Sequence, residues 1–124
     1  MTPGDPRIPP SAATAAAGVD HVRLSYLYLD AGDLDAYASL LDEAIQLAEP
    51  ETPPACGRVE ATRRAAREDG THQLFKVVAE GDCVVAVGRY TAPAKAYDFA
   101  DLFTLSPEAL LLTRHRFYYL PPPS

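Results

Sequence analysis

Apolar residues in the first third of the chain follow the period of a helix. Between residues 15 and 30 they recur every three or four positions, which predicts a first helix. Its inward-facing members are Val19, Val22, Tyr26 and Leu29. Gly32 is typical of a helix C-terminus, and Asp33 is typical of the N-cap of a second, short helix. The two segments predict a helical hairpin, and the inner face of its second helix carries Leu34, Tyr37, Leu40 and Leu41.

The next forty residues alternate between short elements and breakers. Residues 44–48 are apolar enough for a short strand, and the three prolines that follow predict a loop at Pro50, Pro53 and Pro54. Residues 58–68 are rich in alanine and arginine and end at Asp69-Gly70, which predicts a third helix with an exposed arginine face.

The C-terminal half changes to the period of a strand. Turn-forming residues separate four segments rich in strand formers, which predicts an antiparallel meander of residues 71–79, 83–91, 96–105 and 109–119. Helices followed by strands are typical of an α+β domain. We therefore expect three helices packed on one face of a strongly curved, mainly antiparallel sheet.

The two ends of the chain are rich in proline and poor in residues that could form a core. We expect residues 1–14 to be a disordered arm and residues 120–124 to be a short proline-rich tail. Residues 15–119 then form a single domain, since two domains would each be too small to bury a core.

The charge and the amino-acid composition of the chain exclude several classes of binding partner. The net charge of −6 leaves no basic face for phosphates, so we expect no nucleic acid as a partner. Apolar runs of membrane length and a signal peptide are both missing from the sequence, so we expect a cytoplasmic protein without a membrane partner. The two cysteines, Cys56 and Cys83, match no metal-ligand spacing and are expected to be buried, reduced thiols. We expect neither a metal nor another cofactor.

The order of elements, together with the segment Asp30-Ala31-Gly32-Asp33-Leu34-Asp35, resembles the nuclear transport factor 2-like superfamily. Within it, the SnoaL-like and ketosteroid-isomerase-like branch is the most similar, over residues 19–119. The resemblance implies a cone with a pocket between the helices and the concave sheet. The superfamily contains isomerases, polyketide cyclases, dehydratases, epoxide hydrolases and proteins without catalysis, so the fold alone does not settle the function.

Strand alternation assigns side chains to the pocket. If the last turn centres on Pro107, Asp101 lies opposite Thr113, and a slip of one residue would exchange the two faces. On this register the expected substrate-binding residues of the sheet are Phe75, Gly88, Tyr90, Tyr97, Phe99, Thr113 and Phe117. Those of the first helix are Ser25, Tyr26 and Leu29. Small residues such as Gly88 would leave room for a ligand.

Asp101 is the main catalytic candidate because it interrupts an apolar strand. Burial raises the pKa of a carboxyl group, which lets it act as an acid or base near neutral pH. The resemblance implies the same, since the segment Ala100–Phe103 looks like the one that carries the acid of ketosteroid isomerases. The alternatives are a surface position or an ion pair with Arg114 or Arg116 across the hairpin.

Two further catalytic candidates are His115 and Glu49. His115 would form an acid–base couple with Asp101, or else lie on the outer face. The resemblance implies that Glu49, followed by a proline, occupies the position of the base in ketosteroid isomerases; a solvated loop residue is the alternative. Ser25 stands where those enzymes carry a tyrosine, and the nearby Tyr26 supplies a hydroxyl or is a core aromatic. His72 is expected to lie outside the pocket.

These features lead to three hypotheses for the function. The first is a small cofactor-independent enzyme that uses acid–base catalysis for cyclisation, isomerisation or dehydration of an apolar carbonyl compound; a role in natural-product biosynthesis is implied only by the resemblance. The second is a protein that binds a hydrophobic ligand without catalysis. The third is an assembly domain whose pocket is filled by its own side chains.

The outer face of the predicted sheet is apolar enough to need a partner. On the predicted register it carries Leu74, Val78, Val85, Val87, Leu102 and Leu112. An exposed patch of this size is unusual for a monomer, so we expect a homodimer in which two sheets pack about a twofold axis.

Overall fold

The computed structural model describes residues 12–119, and within them the chain forms three helices and six strands. The helices are α1 (Ala12–Ala31), α2 (Leu34–Ser39) and α3 (Arg58–Ala65). The strands are β1 (Leu41–Glu49), β2 (Thr52–Cys56), β3 (Thr71–Glu80), β4 (Cys83–Ala92), β5 (Lys95–Leu105) and β6 (Leu111–Tyr119). The predicted arm up to residue 11 and the tail from residue 120 lie outside the described residues, and α1 begins three residues before the predicted domain start. In the described part, no helix is long and apolar enough to cross a membrane.

The six strands form one open sheet in the order β2-β1-β6-β5-β4-β3. The pair β1–β6 is parallel and all other pairs are antiparallel. The predicted α+β class and the predicted meander β3–β6 are therefore confirmed. The predicted loop of residues 50–54 is wrong in part, because β2 pairs with the end of β1. Pro53 and Pro54 are tolerated there since β2 is an edge strand, in which missing N–H donors cost little.

The helical hairpin forms as its capping residues predict. The side chain of Asp33 accepts a hydrogen bond from the backbone N–H of Ala36 at 3.2 Å, and Gly32 has a positive φ of 70°. The helices pack on the concave face of the sheet, where Val22 and Tyr26 of α1 and Tyr37 of α2 are buried. The core continues across the sheet through Leu41, Ile45, Leu47, Val84, Phe99, Phe103 and Leu111.

The register of β6 against β5 differs from the predicted one. Asp101 lies opposite Arg116 instead of Thr113, a displacement of three residues, whereas the predicted pairing of β4 with β5 is confirmed. The cause is a long connection between Leu105 and Leu111, which includes Ala109 with a φ of 64°, and a bulge at the start of β6. Because the displacement beyond the bulge is odd, the side chains of β6 from Thr113 onward change face.

Because of this displacement, three residues that were predicted to line the pocket lie on the outer face, and two arginines lie on the concave face in their place. His115 and Phe117 are exposed on the outer face, and Thr113 bonds there to Thr104, with 2.6 Å between the two hydroxyl oxygens. Their neighbours Arg114 and Arg116 are buried on the concave side. The sequence pattern had assigned these charged residues to the solvent side, where charged side chains are usually found.

A bulge in β3 corrects a second set of predictions. Leu74 pairs with Gly88 and Lys76 pairs with Val87, so Phe75 is an extra residue in the ladder. Alternation therefore breaks at Phe75. Phe75 is exposed instead of lining a pocket, Leu74 packs against the core instead of lying on the outer face, and His72 faces inward.

Gly88 serves the bulge and does not make room for a ligand. A β-carbon at Gly88 would lie 2.2 Å from the backbone oxygen of Gln73 on the neighbouring strand. Such a distance is far below any van der Waals contact, so the missing side chain permits the close approach of β3 to β4.

The thiols also differ from the prediction, since Cys56 is exposed and Cys83 half-buried.

We predict that Gly88→Ala lowers the free energy of unfolding by roughly 1–3 kcal/mol, because the two backbones must separate to admit a methyl group. Urea denaturation measures the change. The matched control is Thr91→Ala on the exposed side of the same strand, for which we expect a change within about 0.5 kcal/mol. Equal stability of Gly88→Ala and the parent protein would contradict this interpretation of the bulge.

Candidate functional site

An ion pair occupies the centre of the concave face. The Nε and Nη2 of Arg116 each donate a hydrogen bond of 2.7 Å to one oxygen of Asp101, and the Tyr26 hydroxyl donates a third of 2.6 Å. Asp101 is fully buried and Arg116 nearly so. The alternative of an ion pair across the hairpin is therefore the one observed, although Asp101 does face inward as predicted.

The expected rise in the pKa of Asp101 is wrong. Burial by itself raises the pKa, but the hydrogen bonds from Arg116 and the charges of Arg114 and Arg116 outweigh burial, so the pKa lies below its ordinary value. Burial and the adjacent charge of Asp101 raise the pKa of Tyr26, which therefore stays protonated. Asp101 is thus an ionised structural group whose two oxygens accept three hydrogen bonds, and it cannot donate a proton near pH 7.

We predict that Asp101→Asn lowers the free energy of unfolding by about 3–5 kcal/mol at pH 7, since it leaves the cation of Arg116 buried without its partner. Chemical denaturation measures this loss. Asp98→Asn is the matched control, because Asp98 lies on the same strand and forms a largely exposed pair with Arg89.

The carboxylate of Asp101 also makes the stability of the fold depend on pH in the acidic range. Because the folded-state pKa of Asp101 is below 3.8, its ionised form stabilises the fold above about pH 4, and this stabilisation is lost as the pH falls through the folded-state pKa. Asp101→Asn should remove this part of the acid dependence. A mutant as stable as the parent protein at pH 7 would contradict the structural role.

The interior beside this ion pair is almost completely filled. A cavity of about 10 Å³ remains between α1, α2 and the sheet, and three predicted substrate-binding residues of α1 line it: Ser25, Tyr26 and Leu29. The hydroxyl of Ser25 already donates to the backbone oxygen of Val22 at 2.6 Å. Sites for organic ligands usually measure 300–1,000 Å³, so an organic substrate does not fit in this cavity.

A larger space opens where β1, the C-terminal part of α3 and the ends of β4 to β6 meet. This cleft has a volume of about 430 Å³. It contains three of the predicted site residues, namely Glu49, Tyr90 and Tyr97. Its other lining residues are Thr52, Pro53, Arg64, Arg67, Glu68, Asp69, Lys95, Arg116 and Tyr118. The cleft is therefore the candidate functional site of the described residues.

Hydrogen bonds connect the floor of the cleft to the buried ion pair. The Nη1 of Arg116 donates to the Tyr97 hydroxyl at 3.3 Å, and the Tyr118 hydroxyl donates to Oε2 of Glu49 at 3.1 Å. The rings of Tyr97 and Tyr118 are packed with centroids 4.3 Å apart. Burial and the charge of Glu49 raise the pKa of Tyr118, so this phenol remains a hydrogen-bond donor at neutral pH. The floor of the cleft thus presents the carboxylate of Glu49, the phenols of Tyr97 and Tyr118 and one edge of the Arg116 guanidinium.

Arg116 is named from the sequence only as an alternative ion-pair partner of Asp101, and Tyr118 is not named. Both follow from one signal, the spacing of two residues between Arg114, Arg116 and Tyr118, which places all three on the same face of a strand. The predicted substrate-binding residue Phe99 lies beneath Arg116, with the guanidinium carbon 4.4 Å from its ring centroid. Phe99 therefore supports the cation from the core and does not line the cleft.

His72 is a second polar group that the sequence pattern placed outside. Its ring packs between Tyr26 and Tyr90 with both centroid distances at 5.0 Å, and Asp30 lies 2.6 Å from its Nδ1. Burial lowers the pKa of His72, although the hydrogen bond to Asp30 opposes the shift, so the imidazole is neutral at pH 7. His72 does not line the cleft.

The comparisons with known proteins rest on structure, since no family model and no curated protein matches the sequence. An NTF2-like protein of unknown function from Cytophaga hutchinsonii superposes with a TM-score of 0.76 at 16% identity, over 82% of this chain and 89% of that one. The chain has the nuclear transport factor 2-like fold. The predicted resemblance is therefore confirmed for the fold.

Two structures with this fold carry functional names. One is a candidate ketosteroid isomerase from Kribbella flavida, with a TM-score of 0.77, 17% identity and coverage of 89% of this chain and 85% of that one. The other is a candidate SnoaL-like polyketide cyclase from Jannaschia, with a TM-score of 0.76, 16% identity and coverage of 87% and 89%. At such identities the likeness defines the fold, and the chemistry has to be argued from the site itself.

Proposed function

We propose that this protein is a small acid–base enzyme that binds its substrate in the cleft and uses Glu49 to take a proton from a carbon next to a carbonyl group. The observation that carries this proposal is that a carboxylate, Glu49, and a cation, Arg116, line the same cleft of about 430 Å³ from the neighbouring strands β1 and β6. The abstraction of such a proton needs a base and a stabilised oxyanion. Glu49 supplies the base. Arg116 and Tyr97 supply the positive charge and the hydrogen-bond donor that stabilise the oxyanion.

The hydrogen bond between Arg116 and Tyr97 prepares the phenol for this role. Because the Tyr97 oxygen already accepts a hydrogen bond from a cation, its own proton becomes a stronger donor. Arg116 is held rigidly by Asp101, so its position needs no reorganisation when negative charge develops on a substrate oxygen. Asp101 therefore acts as a positioning residue and not as the acid that the sequence predicted.

The walls of the cleft indicate the kind of substrate. Three tyrosine rings, Tyr90, Tyr97 and Tyr118, suit a flat apolar body, whereas the charged rim suits a polar end. The rim residues are Arg64, Arg67, Lys95, Glu68 and Asp69. A carbonyl compound with an aromatic or conjugated body and a polar substituent fits this combination better than a wholly apolar molecule. The named neighbours support cyclisation or isomerisation as the reaction class, and natural-product biosynthesis as the setting.

We predict that Glu49→Gln slows proton abstraction by about 10²–10⁴-fold, since the amide cannot act as a base. The measurement is the exchange of α-protons for deuterium in a panel of aromatic ketones and 1,3-dicarbonyl compounds, followed by NMR. The matched control is Glu43→Gln, because Glu43 is exposed on the same strand and does not line the cleft.

Two outcomes would decide against this proposal. Exchange at the parent rate in Glu49→Gln would exclude Glu49 as the base. Binding of panel compounds in the cleft without any exchange would favour the second hypothesis, a binding protein without catalysis. The nearly filled interior is the observation expected for the third hypothesis, an assembly domain whose pocket is filled by its own side chains.

We also propose that two copies of the chain pair through the outer face of the sheet. Val78, Val85, Val87 and Leu102 lie on this face, and the corrected register adds Phe117. Val78 is 47% and Phe117 49% exposed in the single chain. Rows of cross-strand apolar pairs on an uncovered sheet face are stabilised when a second sheet excludes water from them.

We predict a dimer with twice the monomer mass of 13.4 kDa, measured by light scattering at micromolar concentration. Phe117→Lys should shift the mass towards the monomer, because the charge would be buried in the contact. Val59→Lys is the control, since Val59 is 73% exposed on α3, away from the sheet's outer face. A monomer mass for the parent protein would contradict the proposal.

A further inference from the structure

Arg114 is a buried cation that the proposed reaction does not use. It lies on β6 between Leu47 of β1 and Phe103 of β5, and only 6% of its surface is exposed. Its Nε is buried and has no hydrogen-bond partner. Among residues 12–119, no carboxylate lies within ion-pair distance of its guanidinium.

The charges around Arg114 do not balance. Arg114 and Arg116 contribute two positive charges to the buried cluster and Asp101 contributes one negative charge, which leaves a net charge of one. Glu68, which also acts on Arg114, is exposed to solvent. Burial and the charge of Arg116 oppose ionisation, yet Asp101 and other neighbours keep the pKa of Arg114 above its ordinary value, so the guanidinium remains a cation. An unbalanced buried charge is costly unless a counter-charge accompanies it.

The space for such a counter-charge lies directly beside Arg114. The interior cavity of about 10 Å³ has Arg114 in its wall and offers room for about one particle of the size of a water molecule. Most of its other walls are apolar, as with Leu41, Ile45 and Phe103. A buried water normally needs two to four polar partners, which such walls supply poorly, whereas a monatomic anion gains from the positive charge itself.

We propose that this cavity binds one small monovalent anion of the halide class, held by the Nε–H of Arg114. The anion neutralises the cluster of Arg114, Arg116 and Asp101 and fills the space between α1, α2 and the sheet. The site is separate from the cleft and does not involve Glu49. The test of this anion site is therefore independent of the test of the proposed reaction.

The first experiment is crystallography of the parent protein grown in sodium bromide, with diffraction data collected at the bromine absorption edge. The expected result is an anomalous peak in the cavity, within hydrogen-bond distance of the Nε of Arg114. An ordered water or an unfilled cavity without anomalous signal would overturn the proposal.

The second experiment measures thermal unfolding in sodium bromide and in sodium gluconate at equal ionic strength, because gluconate is too large for the cavity. Bromide at about ten times its dissociation constant should raise the unfolding midpoint by roughly 4–8 °C over gluconate. Arg114→Met should lose this difference, and Arg89→Met, which removes an exposed cation from the outer face, should keep it.

Equal midpoints of the parent protein in the two salts would overturn the proposal, as would an undiminished bromide effect in Arg114→Met. If Arg114→Met does not fold, the two measurements on the parent protein decide the question without it.

Discussion

The ion pair between Asp101 and Arg116 is the interaction on which the other parts of this structure depend. The two residues lie directly opposite each other in the β5–β6 hairpin, so the pair fixes the register of the last strand. The Tyr26 hydroxyl bonds to the same carboxylate and thereby attaches α1 to the sheet. On its other side, Arg116 bonds to Tyr97 at the floor of the cleft. One buried contact thus joins the helix layer, the sheet and the candidate site.

The same ion pair determines where chemistry can take place. A carboxyl group alone in an apolar strand would have a raised pKa and could donate a proton. Arg116 supplies a charge and two hydrogen bonds to Asp101, which stabilise the ionised form more than burial destabilises it. The interior is consequently a structural core with a small remaining cavity. The groups that can meet a substrate, Glu49 and the tyrosines, lie at the open end of the cone.

The fold explains why the site lies at this end and does not explain its chemistry. In a curved sheet covered by helices on one face, the strand ends that the helices leave uncovered form an open mouth. Neighbours with the same fold have names as different as ketosteroid isomerase and polyketide cyclase, at identities of 16–17%. In this chain, an arginine held by Asp101 and a glutamate of the neighbouring strand β1 line one cleft together with three tyrosines.

The sequence by itself determined the features that depend on neighbouring residues. The glycine and aspartate at positions 32 and 33 specify the corner between the first two helices, and the turn before β5 is short enough to fix the pairing that turns Asp101 inward. Tertiary structure decided which face of the sheet a side chain occupies wherever this depends on the number of residues in a long connection or in a bulge. The connection before β6 displaced the strand by three residues, and the bulge at Phe75, which depends on the approach of Gly88 to Gln73, turned His72 inward. Side chains on a strand alternate with a period of two, so a single extra residue moves the following side chains from the core face to the solvent face or the reverse. The contacts that decide where this extra residue is placed join positions far apart in the sequence.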